Sequence, residues 1–185
     1  VSIGVKFFGA GAIFLFSFLL VGLLLPGTWS AEREIVIQAP PGAVFPYLDN
    51  PDRWGDWTAW PDANAARRGP ERGAGATRSW NDPEFGDGVF TIVASRPEQE
   101  VEYRVEVQNG AMVTLGRLIL NPEEGGTRVS WREEGDFGWN PLMGYLARSM
   151  DRYQGREFEK GLEQLRSVVE EEAGPPPSPG GTGRR

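Results

Sequence analysis

The chain has 185 residues, enough for one domain with appendages. It contains no cysteine and no histidine, which excludes disulfides, thiolate catalysis, the usual zinc sites and the commonest general base at neutral pH. Its 19 basic and 26 acidic residues give a net charge of −7; a chain this acidic repels phosphate backbones, so nucleic acid is not an expected partner.

Residues 7–25, FFGAGAIFLFSFLLVGLLL, carry no charge. As a helix they span roughly 28 Å, close to the hydrocarbon core of a bilayer. Three readings are open: a membrane anchor, a cleaved signal peptide and a buried core helix. Thr28 and Ser30 are small enough for cleavage before Ala31, but the apolar run exceeds the usual signal core. The anchor is preferred. Lys6 on one side and Glu32, Arg33 and Glu34 on the other place the N-terminus in the cytoplasm and the domain outside.

Residues 1–30 are thus expected to form the anchor and a link, 31–172 a single domain, and 173–185 a disordered Pro/Gly-rich tail. EREIVIQA (32–39) alternates and predicts a strand. Ala43–Leu48 predicts a short helix despite Pro46, and NPDRW (50–54) a capped turn. Runs at 63–69 and 75–81 predict weak strands, and 86–96, 99–107, 111–121 and 126–135 stronger ones. In 99–107, Val101, Tyr103, Val105 and Val107 face one way and Glu102, Arg104 and Glu106 the other. Short connections between the strands imply an antiparallel meander. Asn140 and Pro141 then start a long amphipathic helix to about Glu172, with Leu142, Leu146, Met150, Tyr153, Phe158, Leu162, Leu165 and Val169 on its apolar face.

This order of elements carries APPGAVFPYLDNPDRWGDWTAW (39–60) near its start, Gly86–Gly88 before the fourth strand, GTRVSW (126–131) before the last helix, and YQGREFEKGLEQL (153–165) within it. The chain resembles the polyketide cyclase/dehydrase-like members of the START-related (SRPBCC) superfamily over residues 31–172. The resemblance implies an α+β helix-grip fold: an antiparallel sheet of about seven strands wrapped around a long C-terminal helix, here with an added N-terminal transmembrane helix. It also implies a cavity between sheet and helix, which in different relatives holds lipids, sterols, polyketides or hormones.

The candidate ligand-binding residues are Trp57, Trp80, Tyr103, Trp131, Phe137, Trp139, Met143, Leu146 and Met150. The expected pocket lies under the first half of the long helix, entered near Trp57–Asp62 and Phe137–Trp139. Arg78, Tyr103 and Glu133 are the only candidates for catalysis, with Arg or Tyr polarising a carbonyl and a carboxylate moving protons. No GxGxxG, Walker or GxSxG pattern occurs; neither cofactor nor metal is expected. The leading reading is a membrane-anchored binding or carrier protein for a hydrophobic small molecule, with residues 7–25 in the bilayer. A cyclase- or dehydratase-like enzyme and a membrane-tethered interaction module are the alternatives.

Overall fold

The computed structural model describes residues 3–60, 65–83 and 86–174, with side chains from residue 10 onward. Most of the expected tail, the loop residue Asp62 and the first residues of the 63–69 run lie outside that set.

Helix α1 runs Ile3–Leu24, 22 residues. Apart from Ser17, its described side chains are apolar, and they are exposed, Ile13, Phe14 and Phe16 among them. Among the described residues no helix is long and apolar enough to cross a membrane; residues 10–24 cover only roughly 22 Å at about 1.5 Å each. The expected span over 7–25 is therefore not established by the fold. Helix α1 docks by its C-terminal end on the start of the last helix. The Phe18 and Tyr145 rings stack at 4.5 Å, and the Tyr145 hydroxyl donates to the Phe18 carbonyl at 2.8 Å. Backbones meet closely here: a Cβ on Gly22 would lie 2.0 Å from the Pro141 carbonyl oxygen.

Strand β1 (Thr28–Ile37) follows almost at once, so it takes in Thr28–Ser30 of the expected link. Helix α2 (Pro41–Leu48) forms with Pro46 inside it. A 3-10 turn at Arg53–Asp56 comes next, pinned to α2 by indole bonds from Trp54 to the Leu48 carbonyl and from Trp57 to the Tyr47 carbonyl. The meander is β2 (Ala66–Arg68), β3 (Thr77–Asp82), β4 (Gly86–Arg96), β5 (Glu100–Val107), β6 (Met112–Glu123) and β7 (Gly126–Asp136). Every pair is antiparallel, and β1 closes the order as β1-β7-β6-β5-β4-β3-β2. The α+β architecture and the seven strands are as the sequence implies. So is the parity of β5: Val101 and Tyr103 are buried and Val105 and Val107 half-buried on the same face.

Helix α3 spans Met143–Ala173. Its start is two residues later than expected, and Asn140 caps from before it: its side-chain oxygen accepts from the Leu142 amide at 2.9 Å. Phe158, Leu162, Leu165 and Val169 are fully buried against the sheet. The first half differs from expectation. Leu142, Leu146 and Tyr153 are 53%, 45% and 68% exposed. The step from Tyr153 to Phe158 is five residues, which no helical face tolerates. Counting back from Phe158 in threes and fours gives Gly155, Asp151, Ala147 and Gly144; Gly155, Ala147 and Gly144 are buried, and the exposed Asp151 bonds Arg33 of β1. Small residues let α3 press close to β1: a Cβ on Gly155 would strike the Arg33 guanidinium at 2.1 Å. Arg33 there bonds Asp151 at 3.0 Å and Glu159 at 2.8 Å.

Candidate functional site

The site is built on one rung of the sheet. Tyr103 of β5 pairs with Gly116 of β6, Gly116 with Glu133 of β7, and Glu133 with Ala31 of β1. Because Gly116 has no side chain, the Tyr103 ring lies flat across it; a Cβ there would sit 1.9 Å from Cζ. The phenol so reaches across a whole strand to donate to Glu133 Oε1 at 2.5 Å. Its oxygen in turn accepts from Trp131 Nε1 at 2.6 Å. From the helix side, Gln154 Nε2 donates to Glu133 Oε2 at 3.1 Å. Tyr103 is 1% and Glu133 7% exposed.

Burial is the main influence on both acids. It raises the Glu133 carboxyl to about 7, although the bonds from Tyr103 and Gln154 pull the other way. Burial, reinforced by the neighbouring Glu133 charge, raises the Tyr103 phenol well above its usual range. Tyr103 therefore stays a proton donor, while Glu133 exchanges its proton near neutrality.

Glu133 and Gln154 form the polar end of a cavity of about 280 Å³ between β5–β7 and the first half of α3. Val105, Val107, Met112 and Met150 supply its apolar wall, and Trp29 with Phe137 stands at the side nearest α1. The Trp29 and Phe137 rings stack with centroids 6.1 Å apart. Two larger depressions, about 640 and 630 Å³, lie on the outer face of the sheet. They are crossed by exposed ion pairs such as Arg117–Glu102 at 2.7 Å. The smaller cavity is the better site, because a buried hydrogen-bonded carboxyl faces into it.

Of the expected ligand residues, Phe137 and Met150 line this cavity. Tyr103 and Trp131 stand behind Glu133, in the polar network. Trp57 is core, packed on Trp131 at 5.1 Å. Trp80 is core near Trp60, folded over Gly88. Met143 is half-buried and away from the cavity lining, and Leu146 faces outward with the outer side of α3. Trp139 is 84% exposed: the loop turns its ring to solvent. Of the expected mouth at Trp57–Asp62, Trp57 is buried, and residues 61 and 62 lie outside the described residues. Among the catalytic candidates, Tyr103 and Glu133 converge. Arg78 lies apart on β3, its guanidinium 5.4 Å from the Trp60 ring, in a depression with Asp52 and Arg67.

Trp29 and Gln154 were not foreseen. Trp29 had a signal, since the alternation of Ile37, Ile35, Arg33 and Ala31 extends back to it. Gln154 had none, because the helix face was misread there. Among the described residues no group of His, Cys, Asp or Glu is placed to hold a metal ion.

The family described as "Polyketide cyclase / dehydrase and lipid transport" matches residues 28–170. The chain belongs to this family. Solved structures share its fold at low identity. A protein of unknown function from Staphylococcus aureus matches at 11% identity and TM-score 0.62, covering 79% of this chain and 96% of that one. A protein from Rhodobacter sphaeroides matches at 22% and 0.54, over 76% and 91%. The di-domain ARO/CYC BexL from the BE-7585A biosynthetic pathway matches at 14% and 0.56, over 77% of this chain and 50% of BexL. No curated protein matches in sequence.

Proposed function

We propose that this polyketide cyclase/dehydrase-family chain binds and carries a small, largely apolar molecule, held between β5–β7 and the first half of α3. The observation that carries this reading is the cavity with Glu133 at its end. A buried carboxyl with both oxygens hydrogen-bonded lines a cavity whose remaining wall is largely apolar. Burying such a group costs free energy unless a partner meets it, and a ligand with one polar end and an apolar body is such a partner.

Tethering of the domain to a membrane is part of the proposal. It is supported by the exposed apolar side chains of α1, Ile13, Phe14, Leu15 and Phe16 among them, which water does not favour. In this arrangement Trp29, which follows α1, and Phe137, whose amide bonds the Gly27 carbonyl, put the cavity near the bilayer, and the domain lies outside the cytoplasm.

Met150→Trp tests the binding site. The indole fills the space under α3, so uptake of apolar ligand falls at least tenfold while thermal unfolding stays cooperative. Native mass spectra of wild type and variant, purified from cell extract, report it. Equal ligand retention by both proteins refutes the placement.

An enzymatic reading, cyclisation or dehydration, is favoured by one observation, the convergence of Tyr103 as proton donor with Glu133 as an acid titrating near neutrality. Turnover of a poly-β-keto thioester, lost in Glu133→Gln and Tyr103→Phe, is the measurement that supports it over simple carriage.

A further inference from the structure

The chemistry around the cavity goes further than its shape. Among the described residues lining it, the ionisable groups are Glu133 and Asp136, and neither Lys nor Arg is present. The groups bonded to Glu133 are neutral, Tyr103 from β5 and Gln154 from α3, and Asp136 lines the same cavity. On β1 the inward-facing cation is Arg33, and it is committed to Asp151 and Glu159 of α3 at 3.0 and 2.8 Å. Arg132 and Glu134, beside Glu133 in sequence, turn to the outer face, where they pair with each other at 3.5 Å. An anionic ligand would thus bring a second negative charge beside Glu133 with no cation to balance it. The Trp29–Phe137 stack adds ring faces, which attract cations.

We propose that the molecule bound in this cavity is a small lipophilic amine, held as its ammonium ion by Glu133 with its apolar part against Val105, Val107, Met112 and Met150. This rests on the ligand-binding reading above and names the class of ligand. The volume of about 280 Å³ is that of roughly nine waters at about 30 Å³ each, so an occupant has on the order of ten non-hydrogen atoms. Without a counter-charge the Glu133 carboxyl keeps its proton up to pH about 7. The ammonium ion replaces that proton as counter-charge, so below pH 7 binding releases a proton and weakens as pH falls.

The test uses three probes of similar skeleton with the full chain in a neutral detergent: 2-phenylethylamine, 2-phenylethanol and phenylacetate. Affinities are measured by ligand-detected NMR at pH 6 and pH 8, in wild type, Glu133→Gln and Met150→Trp. The amine stays protonated at both pH values, while Glu133 goes from mostly neutral to mostly ionised. The expected results are amine binding about tenfold tighter at pH 8 than at pH 6, loss of that pH dependence and at least a tenfold weakening at pH 8 in Glu133→Gln, and weaker, pH-independent binding of the alcohol. If the alcohol or the acid binds wild type as tightly as the amine at pH 8, and Met150→Trp blocks it, the amine proposal is overturned and the pocket reading stands. If no probe binds, or Met150→Trp changes nothing, both fall.

Discussion

Replacing Glu133 by Gln removes a charge that the fold holds at a cost, and the cost has a defined pH window. Burial raises the carboxyl from its ordinary value of 4.5 to about 7. Between those values the folded chain binds a proton that the unfolded chain has released, so this residue's contribution to stability is full below about pH 4.5. It declines as pH rises and is gone above 7. Two and a half pH units at about 1.4 kcal/mol each set a ceiling of about 3–4 kcal/mol. Glutamine keeps the shape and never ionises. The variant should therefore match wild type near pH 4.5 apart from a constant offset, and gain on it by up to about 3–4 kcal/mol at pH 8, or roughly 6–16 °C in Tm for a chain of this size. Urea unfolding of both proteins from pH 4 to 8.5 measures the difference, in which every other titrating group cancels. A difference that stays flat across this range, or that shrinks as pH rises, refutes the assignment of a buried, titrating Glu133.

Two glycines that look alike in sequence should respond oppositely. Gly116→Ala drives a Cβ into the Tyr103 ring, which is packed on all sides, and should cost about 2–4 kcal/mol in urea unfolding through overpacking and broken hydrogen bonds. Gly155→Ala meets only the end of the Arg33 side chain, which can swing away. Its lost pairs are partly exposed and worth at most about 1 kcal/mol, a sum offset by the helix propensity of alanine, so stability should stay within about 1 kcal/mol of wild type. Tyr103→Phe deletes a hydrogen bond that lowers the Glu133 pKa. Glu133 should then titrate above pH 7, seen in the carboxyl carbon shift by NMR; a downward move would show that the phenol does not stabilise the ionised form.

The meander and its register were legible because β5 and β7 alternate strictly, and a strand slip of one residue would turn every inward group outward. That parity alone directs Tyr103, Trp131 and Glu133 to one face. Their convergence was less legible, since it depends on Gly116 standing between two strands, a cross-strand relation that neither strand's own pattern contains. The first half of α3 was misread for a different reason. Leu142, Leu146 and Tyr153 form a plausible helical stripe, but the interior there is lined with Gly144, Ala147 and Gly155. Hydrophobicity marks a buried face only where the packed partner leaves room for large side chains. Where backbones approach closely the buried residues are small, and the larger apolar ones fall outside.

The same contrast in side-chain size places the cavity. At one end of the sheet Trp54, Trp57, Trp60, Phe90 and Tyr103 interlock, with Trp131 stacked on Phe158 at 4.2 Å, and large rings fill the space under α3. Beyond the Tyr103–Gly116–Glu133 rung the facing residues shrink to Val105, Val107 and Thr114, while α3 presents Met150 and Gln154. The helix is stiff and is already seated on the aromatic end and on Arg33 of β1, so it does not bend inward to close the difference. The cavity opens where the packed aromatic core ends, where Glu133 also sits, and both features follow from the shift in residue size along β5.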